Sequence, residues 1–188
     1  MRGTAILAID PGLSGAWAVF RPDCPPEVYD MPTVGKEVNP LPILEHVSAA
    51  ITGPLAIVLE QAQSMPGQGV ASSFRIGENY GALRGACLMA AAMRHGWAYH
   101  AVRPAVWKKA LRLSKDKEAS RQRALHLWPC LSPQLSRKRD EGRAEALLLG
   151  FYWEQTYEHG SELPTVAPDG RQGHCGTPSI PLGGAMAC

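Results

Sequence analysis

The chain has 188 residues, 45% apolar and 19% charged, with a formal net charge of +2. That length suits one domain with a full core, and the composition is that of a globular protein rather than a disordered or fibrous one. No apolar run approaches the roughly 20 residues of a membrane span. The first strand is too quickly followed by Asp10 to be a signal peptide. Five scattered cysteines, Cys24, Cys87, Cys130, Cys175 and Cys188, form no CxxC pair, which argues against a disulfide framework or a zinc ribbon and fits a cytoplasmic chain.

In chain order, Ala5 to Ile9 is a continuous apolar run and predicts a buried strand, stopped by the turn formers Asp10-Pro11-Gly12. Ala16 to Phe20 predicts a second strand joined to it by a short hairpin, and Val28 to Met31 a short third. Leu41 to Ile51 has helical spacing, Gly53-Pro54 ends it, and Leu55 to Leu59 predicts another buried strand ending at Glu60. Beyond the turn-rich Met65 to Gly69, Ser72 to His95 predicts one long helix with a possible break at Gly81 or Gly85. Leu88, Met89 and Met93 in that helix read as core filler. Tyr99 to Val102 predicts a strand, Pro104 opens a helix at its first turn, Lys115 to Leu127 predicts a basic amphipathic helix, and Gly142 to Tyr157 the last one. Residues 1–158 are thus expected to form one domain, and 159–188 a Gly/Pro-rich tail without ordered structure. Early hairpins followed by alternating strands and helices predict an α/β fold, a mixed five-stranded sheet with helices on both faces.

Charge is unevenly distributed. From Arg103 to Arg143 there are twelve Lys/Arg against four Asp/Glu, a local net charge of +8 on a nearly neutral chain. Such a block suits a polyanion-facing surface or a solvated face. Acids mark two strand ends, Asp10 and Glu60, and a third group, Asp140, Glu141 and Glu145, opens the last helix. A carboxylate closing a buried strand is costly unless it has a partner or a task. Neighbouring parallel strands would bring Asp10 and Glu60 to the sheet edge where α/β proteins bind ligands. Four acids in a basic surround suit two-metal phosphodiester hydrolysis, in which ions about 3.5–4 Å apart activate a water and stabilise the leaving oxygen. Mg²⁺ is well served by carboxylates and water alone. Taken singly, each acid also fits an ordinary turn, ion-pair or helix-start role.

At this point the residues resemble a family. Ala8-Ile9-Asp10-Pro11-Gly12 with Ser14-Gly15 resembles the first motif of RuvC-type Holliday junction resolvases, and Leu59-Glu60-Gln61 their second. Ser73-Phe74, Gly77, Gly81 and Arg84-Gly85 resemble the helix that follows, and Arg143 to Leu148 their last helix. Met65 to Val70, and Pro104 to Lys109 with Lys115-Asp116-Lys117-Glu118, are similar to the bacteriophage branch. The resemblance covers Ile6 to Tyr157. It implies a ribonuclease H-like fold, a homodimer, location in the cytoplasm of a bacterial host, and nicking of four-way or other branched DNA with two Mg²⁺ ions per site, or Mn²⁺ in their place. Asp10, Glu60 and Glu145 match the family's ligand positions. The fourth ligand departs from the bacterial spacing, since Gly142 stands where the other acid belongs, and Asp140 or Glu141 must substitute. A second departure is Gln63, near the place where bacterial members carry a base-stacking aromatic.

Lys108, Lys109, Lys115, Lys117 and Arg121, with Arg137, Lys138 and Arg139, are the expected phosphate contacts. Lys108 or Lys109 is also placed to stabilise charge on a scissile phosphate. Trp107 among them suits either base stacking or the core. His95, His100 and His126 read as packing or surface residues. The small residues of the Ser72–His95 helix permit close approach of a second copy and mark it as the expected dimer contact. Two other readings remain beside junction resolution: a nuclease of the same fold with looser choice among flaps, forks or RNA–DNA hybrids, and a DNA-binding protein without catalysis.

Overall fold

In the computed structural model the described residues are 3–63, 67–113 and 117–157. The expected tail at 159–188 and Lys115 lie outside them. The first strand, β1 (Ala5–Asp10), runs antiparallel to β2 (Ala16–Phe20), which runs antiparallel to β3 (Glu27–Asp30). A two-stranded hairpin, β4 (Thr33–Val34) and β5 (Glu37–Val38), and a helix, α1 (Leu41–Ala50), lead to β6 (Leu55–Glu60). The long helix α2 (Val70–Met93) follows without a break at Gly81 or Gly85. Then come β7 (Trp97–Val102), α3 (Pro104–Ala110), α4 (Lys117–Leu127), 3-10 turns at Pro129–Gln134 and Lys138–Asp140, and α5 (Glu141–Tyr157).

The main sheet has the order β3-β2-β1-β6-β7, with β1, β6 and β7 parallel. This is the mixed five-stranded α/β arrangement, with helices on both faces, expected from the sequence. Strand side chains alternate between faces, so each sheet strand feeds two cores. Leu7, Ile9, Ile57 and Leu59 pack beneath α1 and α2 with Ile43, Val47 and Leu83. Ile6, Ala8, Ala56 and Val58 pack against Trp107, Ala124 and Leu127, and the α5 residues Ala144, Leu147 and Leu148. The continuous apolar runs of β1 and β6 are thereby explained, because strands covered on both faces have no solvent side. Each fully buried aliphatic contributes about 1.5–3 kcal/mol.

Two expectations are corrected. Leu88, Met89 and Met93 are not core filler but lie on the surface of α2, with Met93 78% exposed. Helix α2 turns only Asn79, Leu83 and Cys87 fully inward. Cys24 and Cys87 are free thiols, but Cys130 is disulfide-bonded, contrary to the expectation of a chain kept reduced. The β4–β5 hairpin was not expected. It is short, and the buried Asn79 side chain holds it to α2 by accepting a bond from the Val38 amide at 3.0 Å.

Candidate metal centre

The site is built by strand register. Ile9 lies opposite Leu59 in the parallel β1–β6 pair, so Asp10 and Glu60 leave adjacent strands at the same edge. Their side chains share the parity of Ala8 and Val58 and therefore emerge on the sheet face covered by α3 and α5. Helix α5 supplies the third acid. It comes close because Gly142 rests on the β1–β2 turn, where a Cβ would lie 2.5 Å from the Ser14 carbonyl oxygen. On the turn itself, a Cβ on Gly15 would overlap the Asp10 carbonyl, and Gly12 has φ +125°. Glycine at 15 and 142 thus lets α5 begin against the end of β1, and Glu145, one turn in, arrives beside Asp10.

Asp10, Glu60 and Glu145 each offer a carboxylate oxygen within 4.8 Å of the others. Three crowded acids are hard to ionise together. Burial, then Glu60 and Glu145, push the Asp10 carboxyl well above the usual range, with Lys108 opposing. Burial and Glu145 push Glu60 up to about 7, against Lys108 and a hydrogen bond from Trp107. Lys108 donates to Glu145 at 2.5 Å, and the buried Trp107 indole N–H donates to Glu60 Oε2 at 2.7 Å. An all-oxygen donor set without histidine or cysteine, short of compensating positive charge, fits a hard divalent cation such as Mg²⁺ or Mn²⁺. The residues present fit such a metal.

Two solved structures are similar in shape. One is RuvC of T. thermophilus in complex with a Holliday junction substrate, at 18% identity and a TM-score of 0.46, covering 79% of this chain and 91% of that one. The other is RuvC from Thermus thermophilus, also 18% identical, with a TM-score of 0.47, covering 81% and 96%. No family model and no curated protein matches the chain.

The two acids considered for a fourth ligand are treated differently. Asp140 is buried and engaged. Its carboxylate accepts from the Arg137 amide at 2.8 Å and from the Arg137 guanidinium at 2.8 to 3.2 Å. Burial raises its pKa, but these bonds outweigh it and hold the carboxyl below its ordinary value. Glu141 is near enough to Asp10 for its charge to raise the Asp10 pKa. Asp140 is thus engaged away from the three clustered acids, while Glu141 opens the helix that carries Glu145. Gly142 leaves no room for a side chain, which is why an acid cannot stand there.

The expected phosphate contacts separate in the same way. Lys109, Lys138 and Arg139 are exposed. Arg137 is committed to Asp140, and Arg121 to Glu118 and the Leu135 carbonyl, the latter at 2.8 Å. Lys117 opens α4. Trp107 is fully buried, so of its two readings the core role holds. His100 is a packing residue, as expected: it lies 4.4 Å from the Trp153 ring and burial lowers its pKa to about 4. Sequence reasoning missed the indole bond to Glu60 and the Arg143–Asp30 pair, at 2.6 and 2.7 Å, that ties α5 to the end of β3. A lone tryptophan directly before Lys108 in a basic segment was the available signal for the first.

Proposed function

We propose that the chain is a metal-dependent endonuclease that cuts four-way or other branched DNA in the manner of RuvC-type resolvases. The observation that carries this reading is the meeting of Asp10, Glu60 and Glu145 within 4.8 Å at one sheet edge, beside Lys108. In this reading these three acids hold Mg²⁺ or Mn²⁺, and Glu141 completes the donor set for a second ion. A divalent metal held there would supply the chemistry of water activation and leaving-group stabilisation that phosphodiester hydrolysis needs. The remaining work falls to the chain. Glu60 is kept in place by Trp107. Lys108, now bonded to Glu145, stands beside the three acids, where it can neutralise charge developing on a phosphate. Lys109, Lys138 and Arg139 are exposed and hold the flanking backbone by charge alone.

Helix α2 suits the homodimer that paired nicking of opposite strands calls for. Val70, Phe74, Met89 and Met93 are 88%, 70%, 59% and 78% exposed, a large apolar surface for a lone chain. Glycines 77, 81 and 85 open close approach along the same helix. The resemblance to the phage branch and a bacterial host cytoplasm belong to the same proposal. No helix among the described residues is long and apolar enough to cross a membrane.

The test is cleavage of a synthetic four-way junction with Mg²⁺ or Mn²⁺, with Asp10→Asn as control. Metal-dependent nicking lost in the variant is expected, and cleavage that survives Asp10→Asn would sink the mechanism. The burial of Trp107 favours a second reading, in which junction choice is loose and flaps, forks or RNA–DNA hybrids are cut as well. Rates across such a substrate panel separate the two.

A further inference from the structure

We propose that Trp107 is a positioning residue that fixes the Glu60 carboxylate for the metal through its indole N–H. This rests on the reading of Asp10, Glu60 and Glu145 as a metal site. The ring is fully buried beneath the face of β1 and β6. Its Nε1 nevertheless lies 2.7 Å from Glu60 Oε2. A buried indole N–H needs an acceptor, since leaving it unmade costs the full desolvation of the group. Here the acceptor is a carboxylate that is itself 9% exposed. An indole only donates and does not titrate in water, so the bond persists whether or not Glu60 carries charge.

The bond takes up one lone pair of Oε2 and fixes the carboxylate plane, leaving the remaining acceptor capacity to a cation. A donor of this kind behind a ligand removes rotamer freedom that binding would otherwise have to freeze, and losing one typically weakens metal affinity 10–100-fold. The same ring does a second thing. The Lys108 ammonium lies 5.1 Å from its centroid and reaches Glu145 at 2.5 Å. One side chain on α3 thus touches the Glu60 carboxylate by its edge and supports the Lys108–Glu145 pair by its face.

Trp107→Phe keeps a ring and removes the N–H. In the full-length chain without DNA, titration calorimetry with Mn²⁺ is expected to give about tenfold weaker binding in Trp107→Phe. Glu60→Gln and Glu60→Gln/Trp107→Phe are expected to bind alike, because the donor acts only through Glu60. In ¹H–¹⁵N spectra the Trp107 indole resonance is expected downfield, and to move in Glu60→Gln and on adding Mg²⁺. Circular dichroism and the thermal midpoint establish that Trp107→Phe is folded. Wild-type Mn²⁺ affinity in folded Trp107→Phe overturns the inference. So does a loss of equal size in the Glu60→Gln background, or an indole resonance indifferent to Glu60→Gln. If the wild-type chain takes up no Mn²⁺, the nuclease reading itself fails and this inference with it.

Discussion

Two sets of acids flank the start of α5, and they are held in opposite ways. Asp30 and Asp140 each meet an arginine, Arg143 and Arg137, and each carboxyl is held below its ordinary pKa. Asp10, Glu60 and Glu145 meet one another, and Asp10 and Glu60 are pushed up. The first set fastens the 3-10 turn and the end of β3 to the last helix. The second leaves repulsion unresolved in a half-buried place, which weakens the fold unless a cation enters. Acids near one helix start thus divide by partner: guanidinium makes a clamp, and carboxylate against carboxylate makes a candidate site for a cation.

The largest break in this comparison is Asp10→Asn. Cleavage is expected to fall on the order of 10³-fold, with no loss of thermal midpoint, since the variant relieves repulsion. A fall in stability matching the fall in rate would place Asp10 with the clamps.

Glu60→Gln tests the same idea through pH. Glu60 rises from an ordinary 4.5 to about 7 in the fold. The fold therefore favours its protonated form, and that contribution is complete below pH 4.5 and lost as pH rises through 7. Urea unfolding in a chelator is expected to find Glu60→Gln more stable than wild type by about 3 kcal/mol at pH 8 and equal to it near pH 4.5. A pH-independent difference would mean that neither burial nor Glu145 strains the Glu60 carboxylate.

Asp140→Ala should behave in the contrary sense. It removes a cap-like carboxylate and its Arg137 bonds, and is expected to cost about 2 kcal/mol of stability with Mn²⁺ affinity unchanged. Its contribution is present at neutral pH and lost as pH falls through its lowered pKa. Weaker Mn²⁺ binding in this variant would return Asp140 to the metal site. The smallest effect is assigned to Glu141→Gln. Mn²⁺ binding is expected to weaken about tenfold, or about 1.4 kcal/mol, with stability within about 0.5 kcal/mol of wild type.

Much of this was legible in the sequence because it depends on local pattern. Period and composition marked the strands at Ala5 and Leu55 and the last helix from Gly142, and turn chemistry placed Asp10 and Glu60 at strand ends. The β4–β5 hairpin escaped notice because two-residue strands carry no periodicity, and an Asn79 side chain 41 residues from Val38 secures it. Leu88, Met89 and Met93 were misread for a related reason. Apolar character marks a surface that wants covering, but says nothing about whether the cover belongs to the same chain.

By itself, then, the sequence determined the mixed sheet, the placing of two carboxylates at one edge and the basic stretch that follows, since side-chain period and strand order leave few alternatives. Tertiary structure alone decided which acids stand together. Asp140 and Glu141 are adjacent in sequence, yet a 3-10 turn gives one to Arg137 and the other opens the helix that carries Glu145 to Asp10 and Glu60. Close approach of Gly142 to the Ser14 carbonyl, so tight that a Cβ at 142 would lie 2.5 Å from that oxygen, joins segments 128 residues apart and is a product of packing, not of pattern.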